Sequence, residues 1–318
     1  MKAKFIILLI TLDLVALFIG LNFGSSGVDL FDGLRDTTAK TIIVDVRMPR
    51  ALVAMAVGMA LAASGTIMQA LFRNPLADPY ILGVSSGASV GAALVIVAGI
   101  ASAVNITTAA FLASLLTAFA VYRLGKTRAG LPVLTLLLAG VAMAYFLSGV
   151  TSFLIYIAAK DMHQVVFWVM GGFWTANWFK LKVITLPIIL GVTFGLYNSW
   201  KLNAVLLGEE HALSVGLNVE VFKKRMIVVS ALLTSAAVAV SGVIGFVGLI
   251  VPHAMRLLIG EDNRILLPSA ILCGAAFMPL VDVIARLITE GEIPVGIITA
   301  LIGSPFFIFL LRRGKYAA

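Results

Sequence analysis

Charge is scarce in this chain of 318 residues. Only 12% of the residues are charged, against about 25% in ordinary soluble domains. A water-soluble fold is excluded, because too few polar side chains remain to cover a core built from a 61% hydrophobic sequence with a mean hydropathy of +1.09. Disorder is excluded by the same numbers, since it needs low hydrophobicity and high net charge. Cysteine is almost absent: Cys273 stands alone, which rules out a disulfide framework. The three histidines, His163, His211 and His253, are scattered, so no metal site or other cofactor is expected. No Ser/His/Asp or Cys/His set occurs at motif spacing, so no enzymatic activity is expected of the chain itself.

Long apolar runs are what the sequence does contain. Sixty-one percent of 318 is about 194 residues, and a spanning helix takes about 20, so the chain has material for about ten spans. Runs fall at about Phe5–Leu21, Ala51–Phe72, Tyr80–Ala98, Ile106–Leu124, Pro132–Ala158, Val183–Ser199, Met226–Val247, Leu249–Ile259, Ile265–Ile288 and Val295–Leu311. Asp13 inside the first run, and no Ala-x-Ala site before Gly24, favour a span over a signal peptide. The eighth run, at about 11 residues, is below the usual 17 and is expected to be a half-buried helix sheltered by protein. Arg73 to Pro79, with Pro75 and Pro79, reads as a turn. Lys160 to Lys182 holds Trp168, Trp174 and Trp178 and reads as an amphipathic connection at headgroup level.

The net charge of +8 arises from 23 basic and 15 acidic residues. Nucleic acid or a cytoplasmic membrane face would each explain it, and the distribution favours the second. With both termini inside, Lys2, Lys4, Arg73, Arg123, Lys126, Arg128, Lys201, Lys223, Lys224, Arg225, Arg256, Arg264, Arg312, Arg313 and Lys315 all fall on cytoplasmic segments. That is 15 of 23, in keeping with the positive-inside rule. Gly125-Lys126-Thr127 mimics the end of a phosphate-binding loop, but that loop needs a glycine where Ala120 stands. Energy for pumping would therefore come from a partner.

Two small-residue stripes are apparent. Gly83, Gly87 and Gly91 repeat every four residues on the third span, and Gly140, Ala144, Ser148 and Ser152 do so on the fifth. Such stripes let helices approach closely in lipid, either within the chain or at a subunit seam or path. Asp13 and Asp282 lie inside spans, where a carboxylate costs roughly 2.5–3.5 kcal/mol and needs a partner. Asp282 has Arg286 four residues on; Asp13 has none in reach of its own helix. From Leu202 to Leu217, Gly208 and Gly216 delimit two short helices whose Leu206, Leu207 and Leu213 suit a partner's groove or the surface of the chain's own bundle.

Several blocks resemble the FecCD/BtuC-type permeases of ABC importers. They are Arg47-Met-Pro-Arg50, Ser64 to Pro79, Leu82-Gly-Val-Ser-Ser-Gly87, Leu136 to Gly140, Phe167 to Gly171, Leu207 to Glu210 with Leu213 to Gly216, Gly242 to Arg256 and Pro294 to Pro305. The match runs in order over nearly all of Arg47 to Leu311. The resemblance implies one all-α transmembrane domain over 1–318 with about ten helices, paired as a homodimer in the cell (inner) membrane. It implies a cytoplasmic ABC ATPase dimer docked through the helices at 202–217, on Leu206, Leu207, Gly208, Glu209, Glu210, Ala212, Leu213 and Gly216. It implies an extracytoplasmic substrate-binding protein gripped by Arg47, Arg50 and Arg286, with Asp282 orienting Arg286. The path would follow the fifth and tenth spans along the dimer axis, with gate positions at Ser86 and Val133–Leu134. Val133 and Leu134 are apolar where the cobalamin member is polar. The implied cargo is an iron chelate (siderophore or haem) or a corrinoid, with an oxyanion such as molybdate or tungstate as the alternative. Outside the resemblance, an ion-coupled secondary transporter using Asp13 and Asp282, or a membrane scaffold without a path, would also fit the composition.

Overall fold

The computed structural model describes residues 2–24, 27–34, 36–127, 130–289 and 291–312. Arg128, Arg313 and Lys315 of the expected cytoplasmic set lie outside the described residues. Fourteen α-helices are present among them: α1 Lys2–Asn22, α2 Thr37–Thr41, α3 Met48–Leu71, α4 Val84–Val97, α5 Ala103–Gly125, α6 Val133–Ile157, α7 Met162–Met170, α8 Trp178–Tyr197, α9 Ser199–Leu206, α10 Glu209–Ser214, α11 Val219–Ser241, α12 Val247–Ile259, α13 Asn263–Leu287 and α14 Val295–Arg312. Seven helical stretches are long and apolar enough to cross a membrane. The shorter apolar helices α4, α12 and α14 bring the number to the ten expected.

Polar caps, not hydropathy, set the starts of two long helices. Asn177 accepts the Lys180 N–H and Asn218 accepts the Val221 N–H. These caps start α8 at Trp178 and α11 at Val219, five and seven residues before the apolar runs begin. Trp178, Lys180, Lys223, Lys224 and Arg225 are therefore helical, not parts of connecting segments. The expected third span is also split: a 3-10 turn, Pro79–Leu82, precedes α4, and Gly83 joins them at φ +69°.

Packing centres on α3, of whose 24 residues 20 are buried. Glycines allow this. A Cβ on Gly58 would stand 1.9 Å from the Gly274 carbonyl oxygen of α13, and one on Gly65 would stand 1.7 Å from that of Gly248 in α12. Backbone lies on backbone at both crossings, the close approach that replaces a hydrophobic drive between helices in lipid. The short α12 is sheltered as expected. Val247, Gly248, Leu249, Val251, Pro252, His253 and Met255 are buried, and the chain enters it through Phe246 at φ +69°. The end of α11 and the non-helical stretch after it find their partners inside the protein: the Ser241 carbonyl, the last of α11, accepts from Gly172 N–H at 2.7 Å, and the Ile244 carbonyl accepts from the Tyr80 hydroxyl at 2.9 Å.

The two small-residue stripes have different fates. A Cβ on Gly87 or Gly91 would collide with Thr117 or Ala109 of α5, so the first stripe packs within the chain. On α6 only Leu136, Gly140, Thr151 and Leu154 are buried, while Ser148 and Ser152 face outward.

Replacing Gly58 by Val is expected to destabilise the fold by about 3 kcal/mol, read as a lower Tm in detergent. Gly195→Ala, where a Cβ meets only ordinary contacts at 3.4 Å, should leave Tm unchanged or raise it. Equal Tm values for the two variants would refute the crossing as the pivot of the bundle.

Candidate functional site

Two ends of the bundle carry the candidate residues. At one end the Arg73 turn, Lys126, the α9–α10 hairpin and the α12–α13 turn come together: Lys126 pairs with Glu220 at 3.7 Å, and Asn203 joins Asp262 and Asn263. This is the basic end. The opposite, far end gathers Arg47, Arg50 and Arg286.

The far-end cluster is built on Asp282, 1% exposed. Arg50, in the first turn of α3, grips it with Nε and Nη2 at 3.0 and 2.9 Å. Arg286, one turn along α13, approaches the same carboxylate at 3.2 Å. The pairing of Asp282 with Arg286 follows from i,i+4 spacing; its sharing with Arg50 bridges α3 and α13. Glu292 adds a second carboxylate, 3.0 Å from Arg50 Nη1. It is presented from a left-handed backbone at φ +46°, a conformation that costs a non-glycine residue of order 1–3 kcal/mol. Arg47 Nη1 donates to the Leu21, Asn22 and Val28 carbonyls at 2.7–2.9 Å, and Arg286 Nη2 donates to Gly20 O at 3.2 Å. Three guanidinium groups and two carboxylates leave a surplus of one positive charge in this group of described residues. All three arginines are buried, so much of their donor capacity is used inside the chain.

At the basic end, α9 and α10 form a hairpin about Gly208, whose φ of +124° excludes other residues without strain. Ala212 is fully buried and anchors it, Leu206 is half-buried, and Gly216 follows α10 at φ +80°. Leu207 and Leu213 are 72% and 60% exposed. Glu209 and Glu210 open α10, where the helix dipole favours acids, and Glu209 pairs with Lys223 of α11. Asn203 fixes the hairpin to the bundle: its amide donates to Asp262 Oδ1 at 2.7 Å and its Oδ1 accepts from the Asn263 N–H at 2.8 Å. Asp78, in the neighbouring turn, accepts the Tyr80 N–H at 2.7 Å. Burial pushes its carboxyl up to about 6, against the pull of that bond.

Ser86 lies half-buried in the first turn of α4, and Val133 and Leu134 in the first turn of α6, with Leu134 exposed. α4 and α6 pack on each other. Asp13 is buried, and its Oδ1 has no hydrogen-bond partner among the described residues. Sequence reasoning missed Glu292, Asn203 and Lys223. Glu292 had one usable signal, an acid just past a span that ends in arginine. Asn203 had none, because its partners lie about 60 residues away.

Comparison with known proteins is consistent with this geometry. The sequence matches the FecCD transport family over residues 5–313. It is 43% identical to the cobalamin import system permease protein BtuC of Halobacterium salinarum, over 88% of this chain and 76% of that one. It is 42% identical to the hemin transport system permease protein HmuU of Yersinia pestis, over 86% and 84% of the two chains. It is 39% identical to the molybdate import system permease protein MolB of Haemophilus influenzae, over 88% and 84%. A solved transporter assigned to the metal-chelate ABC type, in an inward-facing conformation, superposes with a TM-score of 0.90 at 37% identity, covering 98% of this chain and 99% of that one.

Proposed function

Because the chain belongs to the FecCD transport family of ABC importer permeases, we propose that two copies of it form the conduit through which a partner ATPase drives uptake of an iron chelate or a corrinoid. An extracytoplasmic binding protein delivers the cargo to the far end, and the ATPase dimer docks at the basic, cytoplasmic end. The observation that carries this reading is the α9–α10 hairpin. It exposes Leu207 and Leu213 to a partner while Asn203 bonds it to the start of α13. A push on the hairpin therefore reaches α13, and through the Gly58–Gly274 crossing it reaches α3.

The second copy is supported by α6, a 25-residue helix with four buried positions and an outward row of Ser148 and Ser152. On this reading two such faces pair, with α14 beside them, the path runs along the dimer axis, and Ser86, Val133 and Leu134 stand near its cytoplasmic end. A conduit lined by weakly binding groups suits cargo that is loaded by one protein and released on the far side. Arg47, Arg50 and Arg286 lie just beneath that end, and the surplus positive charge of their group is what acidic side chains of the binding protein would meet.

Gly208→Val or Leu213→Asp should leave ATP hydrolysis by the reconstituted complex near its basal rate and abolish its stimulation by loaded binding protein. Full stimulation in both variants would remove the hairpin from the coupling role. Reversing the charge of Arg47 or Arg286 should weaken capture of the cognate binding protein by about tenfold, an expected cost of about 1.4 kcal/mol. Unchanged capture would show that these arginines serve only the fold.

A further inference from the structure

A cavity of about 800 Å3 opens at the far end of the bundle. Its walls come from four separate stretches: the α4–α5 loop with the first turn of α5, α7, the segment leading into α8 with the first turn of that helix, and the loop carrying Gly291 and Glu292. Its size falls within the range of small-molecule sites, about 300–1,000 Å3. Phe167, Trp168 and Trp174 give it aromatic surface, with Phe167 and Trp174 meeting edge to face at 6.0 Å. About half of the lining residues are polar, Ser102, His163, Gln164, Thr175 and Glu292 among them, and one brings an ammonium.

That ammonium belongs to Lys180, which is 4% exposed. Its Nζ donates to Thr175 Oγ1 at 2.6 Å and to the Val240 carbonyl at 3.0 Å. Val240 lies in the last turn of α11, where a cation is favoured by the helix dipole. Helix capping explains one N–H and the hydroxyl a second; an ammonium has three. Both partners are neutral. Among the described residues no carboxylate stands within 4 Å of Nζ, and Glu292, the acid on the same cavity wall, is held by Arg50 at 3.0 Å. A buried cation without a counter-charge is costly. A hydrophobic or neutral polar side chain at this position would be cheaper if capping α11 were the whole purpose.

We propose that this cavity is an entry site for cargo and that Lys180 receives an anionic oxygen of it, so the cargo is a negatively charged chelate with aromatic or flat apolar surface for Trp168 and Trp174. The inference rests on the importer reading above and narrows it from chelates in general to anionic ones. Corrinoids and uncharged chelates lack the charge the site calls for. A small oxyanion lacks the surface that would fill a cavity of this size.

The test uses the purified chain in lipid nanodiscs and two iron(III) complexes of similar bulk. One is the tris-catecholate, a trianion; the other is an uncharged tris-hydroxamate. Tryptophan fluorescence reports binding. The trianion should quench saturably, the uncharged complex should bind about tenfold more weakly or worse, and Trp174→Phe should remove much of the quench while Trp200→Phe leaves it. Lys180→Gln should erase the preference for the trianion and Lys180→Arg should keep it. Equal affinity for both complexes, or an undiminished preference in Lys180→Gln, overturns the proposal. Should Lys180→Gln not fold, the charge preference of the unaltered chain and its dependence on Trp174 decide. ATP-driven uptake that persists when the site shows no charge preference would sink the site and leave the importer reading standing. Charge-selective binding without any ATP-driven uptake would do the reverse.

Discussion

The bundle depends on α3 lying backbone to backbone against two neighbours. Gly58 meets Gly274 of α13, and Gly65 meets Gly248 of α12. In lipid there is no hydrophobic gain from bringing helices together, so association rests on close packing and on internal polar pairs. The glycines supply the first along the length of α3. The Arg50–Asp282–Arg286 group supplies the second at its far end, joining the same two helices, α3 and α13. Around this fixed pair the remaining helices take different degrees of burial, and the least buried of the seven long apolar stretches, α6, presents the face that the proposed second subunit would cover.

Rigidity and exposure are divided accordingly. The hairpin at the basic end is hydrogen-bonded to α13 through Asn203 and ion-paired to α11 through Glu209 and Lys223, yet leaves two leucines in the open. At the far end, Glu292 couples the α13–α14 loop to Arg50 from a strained backbone position. A displacement of α14 relative to α3 would have to break or carry that bond. The far-end charges thus hold the fold, and the proposed docking of a binding protein would place a second demand on the same arginines.

Much of the fold was legible from apolar runs alone, because a bilayer fixes the length and polarity of a spanning helix. The ten runs, the short eighth helix and the Asp282–Arg286 pair follow from spacing within one segment. The beginnings of α8 and α11 did not, since a capping asparagine outweighs local hydropathy and draws lysines into the helix. The Gly83, Gly87 and Gly91 stripe and the Gly140, Ala144, Ser148 and Ser152 stripe share a four-residue spacing in sequence, and only the neighbour across the gap tells packing from exposure. The contacts of Asn203 were invisible for the same reason, since its partners are distant in the chain, and those of Glu292 were signalled only by an acid just past a span that ends in arginine. The α9–α10 hairpin was readable because its glycines and leucines are contiguous, and the docking role proposed for it came from the family resemblance, not from the residues' own physics.

The central claim is that the chain is one half of a conduit with no motor of its own. The direct measurement is uptake of a labelled iron chelate into proteoliposomes containing the chain alone, or the chain with its cognate ATPase and the chelate-loaded binding protein. The account predicts accumulation only in the complete system and only with ATP supplied on the ATPase side. Concentrative uptake by the chain alone, driven by a proton or sodium gradient, would contradict it.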